Sequence, residues 1–265
     1  MNEIYDSPET GFVSATRSLL LCRKQYGSMY HCRLTPNHNY AFEDEIFDRS
    51  WGEYKEKYKG GRLISWGRFL IEAVFPDHLY IENGRSLINL INDKRFNDEP
   101  SATKKGTFHS HIGRMCRPRE VFDDTEYVGY LDYTLDRWSR GNHRSYPHFF
   151  FDCESPEWMF RELFVNPNQI RSGRVANSCT SNIAFRWDSK SEKAYIYQIL
   201  KHTQWSHLYG DFCGTASFAR AFCSELSIPM PSCNIVIFAV SATMDRPKQA
   251  KMIVHDFDER YLQND

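Results

Sequence analysis

Two runs in the second half of the chain, Asn182–Trp187 and Ala194–Leu200, are rich in β-branched and aromatic residues and are separated by the polar stretch Asp188–Lys193. That arrangement predicts a β-hairpin. Ile183, Phe185 and Trp187 alternate with Ala184, and Ala194 and Ile196 alternate with Tyr195 and Tyr197. Both faces therefore carry apolar side chains, and both are expected to be covered. Downstream, Phe212, Ala216, Ala219, Cys223 and Leu226 fall on one face of a helix made slender by Ala and Gly, and Ser227-Ile228-Pro229 stops it. Asn234–Ala242 is the most strand-like segment of the chain.

Upstream the pattern is sparser. Gly67–Val74 and Arg85–Asn92 have helical periodicity, and the polar stretch Asn92–Lys105 predicts an exposed loop. Asp123-Asp124-Thr125 is a helix-start signal for apolar positions at Val128, Leu131, Leu135 and Trp138, with a stop at Arg140-Gly141-Asn142. His148–Cys153 predicts a short buried strand and Glu157–Phe164 a short helix. Helices mixed with an antiparallel hairpin define an α+β class. The expectation is one domain over residues 1–265, with a less legible part at 1–105 and the more legible part at 106–265.

Composition narrows the choice of partner. Aromatic residues reach 15% of the chain, which suits a sheet-based core or a pocket for a flat ligand. The formal net charge of −1 argues against a nucleic-acid polymer as partner, and the basic clusters His143-Arg144 and Arg171–Arg174 suit solvated loops. Met1–Thr10 is polar and acidic, unlike a signal peptide, and no apolar run approaches the roughly 20 residues of a membrane span. A cytoplasmic protein without membrane attachment is expected. The 8 cysteines form no Cys-x-x-Cys pair and have no zinc-finger spacing. They predict free thiols, any functional one being marked by its setting.

One cysteine has such a setting. His111-Ile112-Gly113-Arg114 is followed by the helix, then by Asn142-His143-Arg144 and a strand. Asn177-Ser178-Cys179-Thr180 leads into Ile183-Ala184-Phe185-Arg186, and then come Gln204-Trp205-Ser206-His207-Leu208-Tyr209-Gly210, the Ala-rich helix and Ser241-Ala242-Thr243-Met244-Asp245. In order and spacing, over about half the chain, this series resembles the thymidylate synthase superfamily. That family has Gly-Pro-Arg, a helix, Ser-Arg-Arg, Pro-Pro-Cys before an Ile-Gln-Phe-Arg strand, Arg-Ser-x-Asp, a helix with an Asn, and Ala-His-Ile-Tyr. The resemblance implies a large mixed sheet flanked by helices and a homodimer paired through that sheet. It also implies 5,10-methylenetetrahydrofolate as cofactor and a small-molecule substrate. Cys179 becomes the catalytic nucleophile, whose thiolate adds to an electron-poor C=C carbon and later leaves. Arg171, Arg174 and Arg186 are the local cations able to activate it. Arg114 and Arg144 are substrate-binding candidates, Arg144 across a subunit interface. The product is a methyl or a hydroxymethyl group, according to whether hydride or water quenches the methylene intermediate.

The departures shape the substrate. Gln204 stands where the family has its phosphate-binding arginine, and His207 where it has the aspartate that holds the pterin. Thr215 replaces the asparagine that reads the pyrimidine edge, and Thr243 and Asp245 replace the His and Tyr that hold the ribose hydroxyl. A neutral amide supplies neither the charge nor the fork of an arginine. The substrate is therefore expected to be an unsaturated heterocycle or atypical nucleotide rather than ordinary deoxyuridylate. Glu72 and Glu82 are the candidates for the family's catalytic glutamate. His109 and His111 have an alternating spacing open to a metal, with no third ligand nearby. His202 and Trp205 are pocket candidates, Trp205 equally a core residue, and Tyr209-Gly210 reads as a turn. Two rival functions remain: a non-catalytic ligand-binding member of the fold, and an unrelated cysteine transferase or hydrolase using His207 as base.

Overall fold

The structure, a computed structural model, describes residues 4–34, 66–93, 119–122, 125–141, 148–152 and 180–261. Strand β1 (Ile4–Tyr5), helix α1 (Pro8–Cys22) and strand β2 (Lys24–Arg33) open the fold. None of the three is assigned by the pattern reading. Helix α1 starts at a reciprocal cap: Ser7 Oγ accepts from Thr10 N–H while Thr10 Oγ1 accepts from Ser7 N–H, and Pro8 follows. It ends at Arg23, at φ +61°, which turns the chain directly into β2.

Helices α2 (Trp66–Val74), α3 (Asp77–Glu82) and α4 (Leu87–Asn92) come next. A two-stranded antiparallel sheet, β3 (Arg119–Phe122) and β4 (Thr125–Val128), precedes α5 (Gly129–Ser139). The helix expected from Thr125 thus begins at Gly129. The four residues before it pair antiparallel with Arg119–Phe122, Val128 opposite Arg119 and Thr125 opposite Phe122, and Tyr127 and Val128 are β-prone residue types. Strand β5 (His148–Asp152) and the hairpin β6 (Thr180–Asp188) and β7 (Lys193–Leu200) match the pattern reading. The expected helix at 157–164 lies outside the described residues. A short strand β8 (Thr203–Gln204) leads into helix α6 (Trp205–Glu225), then β9 (Cys233–Thr243) and helix α7 (Pro247–Tyr261).

The sheet is mixed, in the order β1-β2-β9-β7-β6-β5, with β8 added beside β9. Strand β9 runs antiparallel to β2 and parallel to β7 and β8. Inward-pointing Ile183, Phe185, Ala194, Ile196, Leu200, Ile235, Ile237 and Ala239 meet side chains from α1 to α7 in one core. Phe12 of α1 stacks on Trp205 at 6.1 Å and meets Tyr209 and Phe212 of α6 edge-on at 5.3 and 6.3 Å. On the opposite face Tyr195, Tyr197 and Ile199 are half-buried, and Met29, Phe238 and Val240 are 46%, 36% and 47% exposed.

Helix α6 runs through the centre of the core because glycine lets α2 approach it. A Cβ on Gly210 would lie 2.5 Å from Leu70 O, and one on Gly214 2.5 Å from Val74 Cβ. Gly210 is therefore a helix-crossing residue, and Tyr209-Gly210 is helical, not a turn. Helix α6 also starts seven residues before the predicted Phe212, since its first turn is held by a residue far downstream in sequence.

Candidate functional site

Residues separated by some 40 positions converge where β8 and β9 end and α6 begins. Gln204 pairs in register with Thr243 and is the N-cap of α6, making no side-chain capping bond. Two residues beyond Thr243, Asp245 Oδ1 accepts the Ser206 N–H at 3.0 Å, so a carboxylate satisfies the helix terminus that Gln204 leaves open. His207 sits in the same first turn. Although the residue is exposed, displaced solvent pulls its imidazole pKa below the ordinary value; Asp245 opposes the shift and Arg246 adds to it. His202 Nδ1 lies 2.8 Å from Ser241 Oγ on the neighbouring strand.

Beneath this corner is a polar island in the core. Thr203 Oγ1 donates to Asp211 Oδ2 at 2.9 Å, and Thr215 Oγ1 donates to Gln198 Oε1 at 2.6 Å. Gln198 also hydrogen-bonds Asp211, joining all four side chains, each of them buried. Burial pushes the Asp211 carboxyl up to about 7, against the opposing pull of its bonds to Thr203 and Gln198. The Asp211 carboxyl therefore changes charge near neutrality. The pattern reading missed it, yet an acid one turn before Thr215, flanked by Tyr209-Gly210 and Phe212-Cys213 in a helix with few charged positions, was a usable signal.

The structure thus brings Gln204, His207, Thr243 and Asp245 to one corner and places Thr215 inside, bonded to Gln198. Trp205 is a core residue: it is 1% exposed and its Nε1–H donates to Thr16 Oγ1 at 2.9 Å. Cys179, Arg114, Arg144, Arg171, Arg174, His109 and His111 lie outside the described residues. The residue after Cys179 is described: Thr180 opens β6, pairs with Leu200 at the end of β7, and is followed by a register shift before Asn182. Strand β6 therefore starts at the sheet end where β7 leads on to Thr203 and Gln204. Arg186 is exposed near the other end of β6.

The two glutamate candidates separate. Glu82 is exposed at the end of α3. Glu72 is 3% exposed. Its Oε1 accepts His78 N–H at 3.1 Å and meets Arg68 Nη2 at 3.0 Å, while its Oε2 lies 2.5 Å from His78 Nδ1. Arg68 Nη2 also reaches Asp77 Oδ2 at 2.6 Å. A carboxylate this buried is costly unless paired, and Arg68 and His78 pair it.

No protein-family model matches the chain, and no curated protein matches it either. No described helix is long and apolar enough to cross a membrane. His207 stands where the resemblance places the carboxylate that holds a pterin, and the adjoining Asp245 is engaged by Ser206 N–H. These residues do not make a pterin-binding carboxylate.

Proposed function

We propose that this chain is a thymidylate-synthase-like transferase that adds a one-carbon unit, as methyl or hydroxymethyl, to an unsaturated heterocycle through a Cys179 adduct. The observation that carries the reading is the convergence at the corner. Gln204, His207, Thr243 and Asp245, assigned by resemblance from separate parts of the chain, occupy one sheet end, and β6, which follows Cys179, begins there. Cys179 thiolate adds to the electron-poor carbon of a C=C bond, and the neighbouring carbon becomes nucleophilic. Glu72, the buried one of the two candidates, serves as the acid that protonates the ring on addition and takes a proton back on elimination.

The corner supports a neutral substrate end. Gln204 offers an amide, and Asp245 already fills the helix terminus with negative charge, so a phosphate brought there would meet like charge. The outer sheet face, with Met29, Phe238 and Val240 exposed, supports a twofold homodimer paired sheet to sheet.

Adduct formation is testable without a one-carbon donor. Reversible thiolate addition to deoxyuridine or deoxycytidine forms the S–C6 bond and lets C5 take a solvent deuteron. Elimination removes the original C5 proton to a base and expels the thiolate from C6, which restores the double bond with deuterium at C5. The expected result is deuterium incorporation seen by NMR and lost in Cys179→Ala. Equal incorporation by the wild type and that variant would overturn the reading.

A further inference from the structure

We propose that His78 is a proton relay for Glu72 and that Arg68 is a positioning residue that holds the Glu72 carboxylate in place, an inference that rests on Glu72 being the acid of the proposed reaction. The arrangement follows from local sequence. Arg68 and Glu72 stand one turn apart on α2, Phe75-Pro76 breaks the chain, and Asp77 and His78 open α3. The fold-back places a basic side chain on either side of one carboxylate. Arg68 lies 3.0 Å from Glu72 and 2.6 Å from Asp77, so it bridges the two helices. His78 touches Glu72 twice, through its backbone N–H and through Nδ1.

The two side chains differ in access to water. That of Glu72 is 2% exposed and that of His78 33%. A carboxylate so enclosed exchanges protons with solvent slowly unless a partner carries them. The imidazole is such a partner, since it takes a proton at Nε2 and releases one at Nδ1. The balance closes over one addition–elimination cycle. On addition, His78 gains a solvent proton at Nε2, the Nδ1 proton passes to Glu72 Oε2, and Glu72 gives its proton to the ring. On elimination Glu72 recovers a proton, returns it to Nδ1, and Nε2 releases its own to water. Arg68 takes no proton at any stage; with the His78 backbone N–H it keeps Oε1 occupied, so that Oε2 is the oxygen turned to the His78 Nδ1. A helix-corner staple would use the same bonds without moving a proton, and the test must separate the two.

The assay is deuterium incorporation into deoxyuridine and deoxycytidine by the full chain. His78→Ala is expected to lower the rate by about 10²-fold, with recovery on adding imidazole. His78→Asn keeps an N–H donor for Glu72 but carries no proton, and is expected to stay as slow as His78→Ala. Recovery of the wild-type rate in His78→Asn, with no effect of imidazole on His78→Ala, would overturn the relay and leave a structural staple. A wild type that incorporates no deuterium counts against the cysteine-adduct reading, and proton NMR then decides the relay alone. A deshielded Nδ1 proton that exchanges rapidly with solvent in the wild type supports it; one held protected from exchange, as a staple would hold it, or absent from the wild type, overturns it.

Discussion

Asp211→Asn isolates one buried charge and tests what the polar island costs. The wild-type carboxyl titrates near 4 in the unfolded chain and at about 7 in the folded one. A folded pKa raised above the unfolded value means the folded state is favoured while Asp211 is protonated in both states, below about pH 4. As pH rises from 4 to 7 the unfolded chain gives up its proton first, and the folded state loses stability until it ionises too. Three units of difference correspond to about 4 kcal/mol at about 1.4 kcal/mol per unit. Asparagine keeps a hydrogen-bonding group toward Thr203 and Gln198 but does not titrate, and each exchanged neutral bond alters stability by only about 1 kcal/mol. The variant should match the wild type within about 1 kcal/mol at pH 4 and exceed it by about 3–4 kcal/mol at pH 8. Urea unfolding followed by tryptophan fluorescence at a series of pH values measures this, because every other titrating group cancels in the difference. A difference that stays constant from pH 4 to 8, or a variant less stable at pH 8, refutes the reasoning.

Three further outcomes are expected. Gly210→Ala would drive its Cβ to 2.5 Å from Leu70 O and should lower stability by about 1–3 kcal/mol or more, read as a fall in thermal midpoint; an unchanged midpoint would dissolve the close crossing of α2 and α6. Calorimetry should find deoxyuridine monophosphate bound no more tightly than deoxyuridine. Loss of a phosphate–arginine contact is worth about 2–5 kcal/mol, or roughly 30- to 5,000-fold, so low-micromolar binding of the nucleotide would restore a phosphate site at this corner. Phe238→Glu should shift the sedimenting species from dimer to monomer at micromolar concentration with little change in thermal midpoint, and a wild-type monomer would remove the sheet-to-sheet pairing.

The amino-acid sequence determined the elements whose periodicity is local. The hairpin Thr180–Leu200, the strand Cys233–Thr243 and helix α2 stand where the alternation of apolar side chains put them, because a strand with one face in a core or a helix with one buried stripe must show that period. Ordering the landmarks around Cys179 also singled out Gln204, His207, Thr243 and Asp245 before their convergence was visible. Only the tertiary structure decided the rest. Helix α6 begins at Trp205 because Asp245, 39 positions beyond Ser206, takes the helix terminus, a contact no local window contains. Strand β4 displaced the start of a predicted helix because β3 was there to pair with it. Glu72 and Glu82 look alike as residues; the fold buried one between Arg68 and His78 and left the other in water. Asp211 was an ordinary helical acid until the fold buried it, and burial moved its titration toward neutrality against the pull of its bonds to Thr203 and Gln198. Charge state and burial depend on what surrounds a side chain, and those surroundings are assembled from strands and helices far apart in the chain.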